Sequence, residues 1–335
     1  MGKVYYDKDA DLKEIKKQTI AIIGYGIQGR NQSLNMRESG LNVIVGNIDD
    51  HYAPNAIKDG FKLYSPEAAA ERADIIYMLI PDDAQGYVYE QYIRQHMTKG
   101  KAIVFAHGFS IRYGRIVPPK DVDVMLMAPR MPGKQIREYF LNGSGAPVFI
   151  GVHQNYTKRA KHRVLAMAKA IGATRIGALE VSFEEETEVD HFIEHFLLPI
   201  IVRAIRVSYD ALVEEGYSKE VALLETYASG EIGELILEAS RVGLYQVFQQ
   251  NTSPTAQFGM AHYAEKVFPD SNKKMIKDIL KKIKNGEFEK VLKKEGLSGY
   301  KHLKKVVKDN NQSDLIKTHH RLQKMIKISG NEAVK

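Results

Sequence analysis

The sequence of 335 residues contains no cysteine. The chain therefore has no disulfide bond, no thiolate ligand for zinc and no cysteine nucleophile, so any metal ion must be bound by oxygen or imidazole. No stretch reaches 18 uninterrupted apolar residues, and the N-terminal segment lacks the apolar core of a signal peptide. We expect no membrane partner and a cytoplasmic location.

Positive charge is in modest excess, since 48 Lys and Arg against 41 Asp and Glu give a net charge of +7. Much of the excess lies in segments 273–284 and 301–308, where lysines are mixed with aliphatic residues at helical spacing. This pattern favours solvated helix faces over a polyanion site, because no aromatic residues are interleaved with the lysines. We expect no nucleic-acid partner.

The first half of the chain alternates strand-like and helix-like segments, which predicts a doubly wound parallel sheet. The predicted strands lie at 19–23, 42–45, 75–80, 102–106, 122–128 and 148–152, and helical patterns lie between them at 27–38, 66–73, 84–96 and 156–171. After about Ser182 only the 3.6-residue period remains. The predicted domains are therefore an α/β domain at 1–182 and an all-helical domain at 183–335.

A glycine-rich hexapeptide follows the first predicted strand and opens the first predicted helix. Its residues, Gly24, Tyr25, Gly26, Ile27, Gln28 and Gly29, fit the dinucleotide-binding pattern G-x-G-x-x-G. In that pattern the glycines give a tight turn, and the phosphates lie on the helix N-terminus. Asp49 follows Gly29 by about 20 residues, where an acid binds the ribose hydroxyls. The neighbouring Asp50 is an equal candidate, and the first domain is predicted to be a Rossmann domain.

Carboxylates recur one helical turn apart at the start of the second domain. Asp190 and Glu194 are four residues apart among apolar residues, which suits a hard cation such as Mg²⁺. The same segment contains His191, Glu194 and His195 in an H-x-x-E-H pattern, which is also found in zinc peptidases. A zinc hydrolase would leave the glycine turn unexplained, so we favour the Mg²⁺ interpretation.

The chain resembles the short, class I ketol-acid reductoisomerases from about residue 5 to about residue 265. The resemblance rests on the glycine hexapeptide, AHGFSI at 106–111, IVPP at 116–119, APR at 128–130, FEEETEVD at 183–190 and TAQFG at 255–259. It implies a Rossmann domain, a knotted helical domain, and a homodimer with active sites shared between subunits, with a higher oligomer left open.

The resemblance also implies the roles of individual residues. Asp190 bridges two Mg²⁺ ions and Glu194 binds one of them, while the partner subunit supplies Glu225 and Glu231. The family pattern places the last glutamate at Ser229, so Glu231 requires a bulge, and Glu234 is the alternative. Ser253 and Glu231 bind the substrate, and His107 and Arg130 join Asp190 and Glu194 in catalysis, although the family usually has lysine at position 130. The cofactor contacts are the hexapeptide with Asn47, Asp49, Asp50, Pro81, His107 and Gly133.

The implied activity is a Mg²⁺-dependent alkyl migration in a 2-hydroxy-3-oxo acid, 2-acetolactate or 2-aceto-2-hydroxybutyrate, followed by NAD(P)H reduction. NADH is favoured, because segment 46–51 carries Asp49 and Asp50 and has no Arg or Lys to hold a 2′-phosphate. A reductase of 2-keto acids that has lost the isomerase step is the alternative. A dinucleotide-sensing regulator is the weakest interpretation.

Overall fold

The structure, a computed structural model, describes residues 2–326. It divides into two compact units, of which the first ends at Asp190 and the second begins at His191. No helix among the described residues is long and apolar enough to cross a membrane.

The first unit is built on one sheet, which has nine strands within the described residues, in the order β1-β9-β8-β7-β6-β5-β2-β3-β4. The strands are β1 (Val4–Tyr5), β2 (Thr19–Ile23), β3 (Asn42–Gly46), β4 (Leu63–Tyr64), β5 (Ile75–Met78), β6 (Ala102–Phe105), β7 (Asp123–Pro129), β8 (Val148–Asn155) and β9 (Ala178–Glu180). The helices are α1 (Ile27–Glu38), α2 (Ala53–Lys58), α3 (Pro66–Arg72), α4 (Asp82–Val88), α5 (Phe109–Arg112), α6 (Gly133–Leu141), α7 (Ala160–Ala170) and α8 (Phe183–Phe192).

Both faces of the central strands are buried, with a period of two residues. On β2, Ile20 and Ile22 join one apolar cluster, while Ala21 and Ile23 join the cluster on the opposite face. Strands covered by helices on both faces are typical of doubly wound sheets, and nearly every residue of β2, β5, β6 and β7 is buried.

The predicted parallel sheet is confirmed from β7 to β4, but the expectation that every strand is parallel is wrong. β8 runs antiparallel to β7, with Val148 opposite Pro129. The connection between them leaves the sheet at the carboxyl end of β7 and returns to the sheet at the same end. There, Arg130 N donates a hydrogen bond to Pro147 O at 2.7 Å. Because α6 does not cross the sheet, β8 returns in the opposite direction. The short strands β1 and β9 at one end of the sheet and β4 at the other were not predicted.

The first turns of α8 belong to the first unit, although the sequence assigns them to the second domain. Phe183 packs in the sheet cluster, with its ring centroid 6.4 Å from that of Phe105. Ser182 caps the helix, since its Oγ accepts a hydrogen bond from Glu185 N at 3.0 Å. Apolar packing and the cap together anchor the start of the acidic helix on the sheet.

The second unit is all-helical in the part that is described, as predicted. Its helices are α9 (Leu198–Glu214), α10 (Lys219–Leu223), α11 (Glu231–Val242), α12 (Leu244–Asn251), α13 (Pro254–Val267), α14 (Lys273–Lys284), α15 (Glu287–Leu297), α16 (Lys301–Asn311) and α17 (Asp314–Met325). A small apolar core around Tyr209, Leu223 and Leu322 joins α9, α10 and α17. The knotted path implied by the resemblance stays a prediction.

Candidate functional site

The glycine turn joins β2 to α1 with the geometry that the hexapeptide predicts. Gly24 has a φ of +99°, and a Cβ there would lie 2.6 Å from Leu79 O. A Cβ on Gly29 would lie 2.0 Å from Gly24 O, so only glycine allows the helix to approach the strand this closely. The N-cap residue Gly26 has no capping side chain, which leaves backbone N–H groups at the helix N-terminus available to phosphate oxygens.

The loop after β3 separates the two neighbouring aspartates. Oδ1 of Asp50 accepts hydrogen bonds from Asn47 Nδ2 at 2.9 Å, from Tyr52 N at 2.9 Å and from Ala53 N at 3.2 Å. Asn47 Oδ1 in turn accepts a hydrogen bond from Tyr25 N in the glycine turn at 3.0 Å. Asp50 therefore fixes the start of α2, whereas the side chain of Asp49 is exposed.

Two other predicted cofactor residues lie at the same edge of the sheet. Gly133 packs against the start of α1, since a Cβ on it would lie 2.3 Å from Ile27 O. Gln28 Nε2 donates a hydrogen bond at 3.1 Å to Met131 O, which lies in the connection between β7 and α6. Pro81 follows β5 and is the N-cap residue of α4. In open α/β sheets ligands bind outside the carboxyl ends of the strands, which is where these residues lie.

A buried acidic cluster lies at the carboxyl ends of β6 and β7. Glu186 accepts hydrogen bonds from Gly108 N at 2.8 Å, from His107 Nδ1 at 3.1 Å and from Arg130 Nη1 at 3.1 Å, and its side chain is fully buried. Asp190, one helical turn later, pairs with Arg130 Nη2. The structure thus brings together His107, Arg130 and Asp190 of the predicted catalytic set.

Close backbone packing holds α8 against this edge. A Cβ on Gly108 would lie 2.4 Å from Thr187 Oγ1 and 2.7 Å from Phe183 O. The absence of a side chain at Gly108 therefore allows Glu186 to reach the backbone N–H of Gly108 and the ring of His107.

The electrostatics of the cluster shift the pKa values of two groups. Burial disfavours the charged form of His107, but the hydrogen bond and charge of Glu186, with the charges of Asp82 and Asp190, raise the pKa of His107 to about 9. Burial and the nearby carboxylates Glu186 and Asp190 outweigh the attraction of His107 and raise the pKa of Asp82 to about 6. The acids around His107 therefore favour its protonated form.

Sequence reasoning missed Glu186 and Asp82 as site residues. Glu186 stands four residues before Asp190, in register with Asp190 and Glu194 on the helix, and this spacing was the available signal. Asp82 directly follows Pro81 beyond β5, with Oδ2 4.0 Å from His107 Nε2. Two linked hydrogen bonds hold Asp82, because Ser110 Oγ donates to Gln85 Oε1 at 2.8 Å and Gln85 Nε2 donates to Asp82 Oδ1 at 2.9 Å.

The remaining predicted ligands lie in the second unit. Glu194 is in a π-helical turn, Ile193–Leu197, which leads directly into α9, and Glu225 is in a second π turn, Leu224–Ala228. Glu231 is the first residue of α11, after Gly230 with a φ of +85°. Ser253 caps α13, since its Oγ accepts a hydrogen bond from Ala256 N at 3.2 Å. Their roles in metal and substrate binding stay predictions.

The zinc interpretation finds no support among residues 2–326. There, the group of three potential ligands whose atoms lie within 4.8 Å of one another is His107, Glu186 and Asp190. The rings of His191 and His195 pack instead against Phe288, with centroid distances of 5.6 and 3.9 Å.

The glycine turn and its sheet define an α/β fold of the dinucleotide-binding class. The fold is shared with a semialdehyde dehydrogenase NAD-binding protein from Cupriavidus necator, with a TM-score of 0.61, 17% identity, and coverage of 80% of this chain and 99% of that chain. At this identity the likeness concerns the fold alone.

Closer relatives identify the family. The NADPH-binding domain of acetohydroxy acid isomeroreductase matches residues 14–177, and the C-terminal domain of ketol-acid reductoisomerase matches residues 183–328. The ketol-acid reductoisomerase (NADP(+)) of Methanocaldococcus jannaschii is 40% identical over 97% of this chain and 98% of its own, and that of Sulfurisphaera tokodaii is 43% identical over 86% of each. The structure of an NADH-preferring ketol-acid reductoisomerase from an uncultured archaeon has a TM-score of 0.93, with 33% identity over 97% of this chain and 99% of that chain. The chain belongs to the ketol-acid reductoisomerase family of enzymes.

Proposed function

We propose that the chain catalyses Mg²⁺-dependent alkyl migration in 2-acetolactate or 2-aceto-2-hydroxybutyrate and then reduces the product with a nicotinamide cofactor, NADH being favoured. The observation that carries the proposal is the cluster of His107, Glu186 and Asp190 at the edge of the sheet that bears the glycine turn. A dinucleotide bound along this turn extends toward the carboxyl ends of the strands, where the cluster lies.

Cofactor selection is assigned to the loop after β3. The exposed carboxylate of Asp49 can accept hydrogen bonds from both ribose hydroxyls of NADH, and it repels a 2′-phosphate. Support comes from the solved structure of an NADH-preferring relative, although the relatives from M. jannaschii and S. tokodaii are described as NADP(+) enzymes.

The donors in the cluster fit a hard cation. Asp190 and Glu186 offer carboxylate oxygens of the kind that Mg²⁺ prefers, within 4.8 Å of each other and of a nitrogen of His107. We assign Asp190 and Glu194 of one subunit, with Glu225 and Glu231 of the other, to Mg²⁺ binding. Bound Mg²⁺ would supply Lewis-acid polarisation of the substrate oxygens.

His107 is assigned to proton transfer. Glu186 fixes the ring through Nδ1, so Nε2 is the atom that can meet a substrate oxygen. Because the pKa of His107 is raised to about 9, the ring can donate a hydrogen bond to the oxygen that gains negative charge when hydride reaches the adjacent carbon.

The homodimer completes the site in this proposal. Large apolar side chains of the second unit are exposed in the single chain, among them Tyr245 at 83%, Phe258 at 71% and Val267 at 77%, and a second copy would cover them. Ser253 lies at the N-terminus of α13, where the hydroxyl hydrogen and the helix dipole favour a substrate carboxylate.

The test measures NADH oxidation with two substrates, in the wild type and in one variant. In the wild type, both 2-acetolactate and 3-hydroxy-3-methyl-2-oxobutanoate, the product of the alkyl shift, should oxidise NADH. Asp190→Asn should slow turnover of 2-acetolactate about a thousandfold, because several kcal/mol of transition-state stabilisation depend on the metal. Nucleotide affinity should change little.

The control is Glu188→Gln, which removes a charge from the same helix; Glu188 pairs with Arg112 at 2.9 Å. It should stay close to the wild-type rate. If the wild type reduces only the rearranged keto acid, the chain is a reductase without the isomerase step. Unchanged turnover of 2-acetolactate by Asp190→Asn would reject the metal assignment.

A further inference from the structure

Both carboxylate oxygens of Asp190 face a basic side chain. Oδ1 accepts a hydrogen bond from Nη2 of Arg130, and Oδ2 lies 3.5 Å from Nδ1 of His107. The other terminal nitrogen of the guanidinium, Nη1, donates to Glu186 Oε1 at 3.1 Å. Arg130 therefore joins the two acids of the cluster.

This arrangement conflicts with metal binding at the same oxygens. A carboxylate that bridges two cations uses both of its oxygens, and a guanidinium on one of them occupies a ligand position and adds a repelling charge. We propose that Arg130 is an internal competitor of the metal, which pairs with Asp190 and Glu186 when no ion is bound and leaves Asp190 when Mg²⁺ binds. The proposal rests on the metal site of the proposed function.

The side chain of Arg130 is placed so that it can make this movement. Its backbone is held at the end of β7, where Arg130 N donates to Pro147 O. Its side chain is 31% exposed, and the guanidinium lies over the ring of Phe149, 5.2 Å from the centroid. Release of Asp190 therefore requires only side-chain torsions and no change in the strand.

Arginine suits this role better than a lysine would. The guanidinium presents separate nitrogens in one plane, so it can hold Glu186 and Asp190 together. A lysine at this position offers a single ammonium nitrogen on a flexible chain. Arg130 is thus expected to set the metal affinity of this chain, and Arg130→Lys should fall between the wild type and a neutral variant.

The test is metal binding by the full-length protein, measured with Mn²⁺ by electron paramagnetic resonance and with Mg²⁺ by calorimetry, in the absence of substrate. Arg130→Met removes the charge and keeps a long apolar side chain. We expect it to bind Mn²⁺ about tenfold more tightly than the wild type, within the usual range of coupling between sites. The control, Arg112→Met, removes the same charge from the pair with Glu188 on α8 and should change affinity less than about twofold.

Because coupling is reciprocal, bound metal must also change the effect of Arg130 on stability, and Tm is therefore the second readout. In EDTA, Arg130→Met should have a lower Tm than the wild type, because Glu186 and Asp190 then lack the guanidinium that pairs with both of them. In saturating Mg²⁺ the Tm difference should vanish or reverse. A Tm deficit that is equal in EDTA and in Mg²⁺ would indicate a structural role only and would overturn the competition.

The outcomes separate this proposal from the proposed function. If Asp190→Asn and the wild type bind Mn²⁺ equally, the metal site itself is wrong, and both proposals fail. If binding depends on Asp190 but Arg130→Met binds no more tightly than the wild type, or Arg112→Met tightens binding as much, only the competition by Arg130 fails.

Discussion

Asn47 and Asp50 are joined by a hydrogen bond of 2.9 Å, from the amide Nδ2 of Asn47 to Oδ1 of Asp50. Because Asn47 also accepts a hydrogen bond from Tyr25 N, the pair connects the glycine turn to the start of α2. Asp50 therefore has a structural role in the loop after β3, and the proposed ribose contact is assigned to its exposed neighbour Asp49.

Substitution of the two aspartates should have different effects on cofactor use. Asp49→Ser should lower the ratio of kcat/KM for NADH to that for NADPH by about tenfold, or 1.4 kcal/mol, because the repulsion of the 2′-phosphate is lost. Asp50→Ser should raise KM for both cofactors and leave this ratio nearly unchanged. Steady-state kinetics with both nucleotides provide the measurement. A wild-type enzyme that favours NADPH tenfold or more would contradict the assignment of Asp49.

Shared active sites predict complementation between inactive subunits. Asp190→Asn and Ser253→Ala chains, mixed after subunit exchange, should recover about a quarter of wild-type activity. Half of the dimers are then mixed, and one of the two sites in each has both residues intact. Activity that stays at the level of the separate variants, after exchange has been verified by mass, would argue against sites built from two subunits.

The two acids at the start of α11 should differ in metal dependence. Glu231 and Glu234 line the same cavity of about 240 Å³, so the structure alone does not rank them. We assign the metal to Glu231, since the left-handed Gly230 directly precedes it and interrupts the helical path between Glu225 and Glu231. Glu231→Gln should raise the Mg²⁺ concentration for half-maximal activity about tenfold, and Glu234→Gln should leave it nearly unchanged. The reverse order would move the assignment to Glu234.

The stability of the nucleotide-binding unit should depend on Asp59 in a pH-dependent way. Asp59 Oδ2 accepts hydrogen bonds from Arg30 Nε at 2.6 Å and from Tyr25 OH at 2.9 Å. The hydrogen bond from Arg30, assisted by Tyr25, holds the pKa of Asp59 below its ordinary value of 3.8 despite partial burial. Asp59→Asn should therefore cost about 1 to 3 kcal/mol in the free energy of unfolding at neutral pH.

A lowered pKa stabilises the folded state above the ordinary value, and this contribution is lost as the pH falls through the folded-state pKa. The difference between wild type and Asp59→Asn should be constant near neutrality and should shrink below about pH 4. Urea unfolding at several pH values measures it, with Asp49→Asn as an exposed control. A difference that persists unchanged in acid would contradict the assigned charge interaction.

Much of the first unit could be predicted from its sequence because the local signals agree. The β-branched run at 19–23, the glycine hexapeptide and the helical pattern after it specify one βαβ unit. The direction of β8 could not be read in this way, since an apolar run has the same pattern in a parallel and an antiparallel strand. The direction depends on where α6 returns the chain.

The site was predictable only in part, for a related reason. Asp190 and Glu194 were predicted as ligands from their spacing along one helix. Glu186 has the same spacing, but it was not predicted as a site residue, because acidic residues also occur on solvated helix faces. The burial of Glu186 depends on the loop at 107–108, which is about 80 residues earlier in the chain. Asp49 and Asp50 likewise could not be separated until the backbone partners of Asp50 were known.

The close contact at Gly108 sets the distance between α8 and the sheet, and with it the geometry of the whole cluster. A methyl group there would push α8 away from the sheet and carry Glu186 and Asp190 with it, although no charged residue had changed. His107 would lose its hydrogen bond to Glu186, Arg130 would lose both of its acceptors, and the proposed metal site would lose the oxygens of Asp190. The reactive geometry is therefore set by a missing side chain as much as by the side chains that are present.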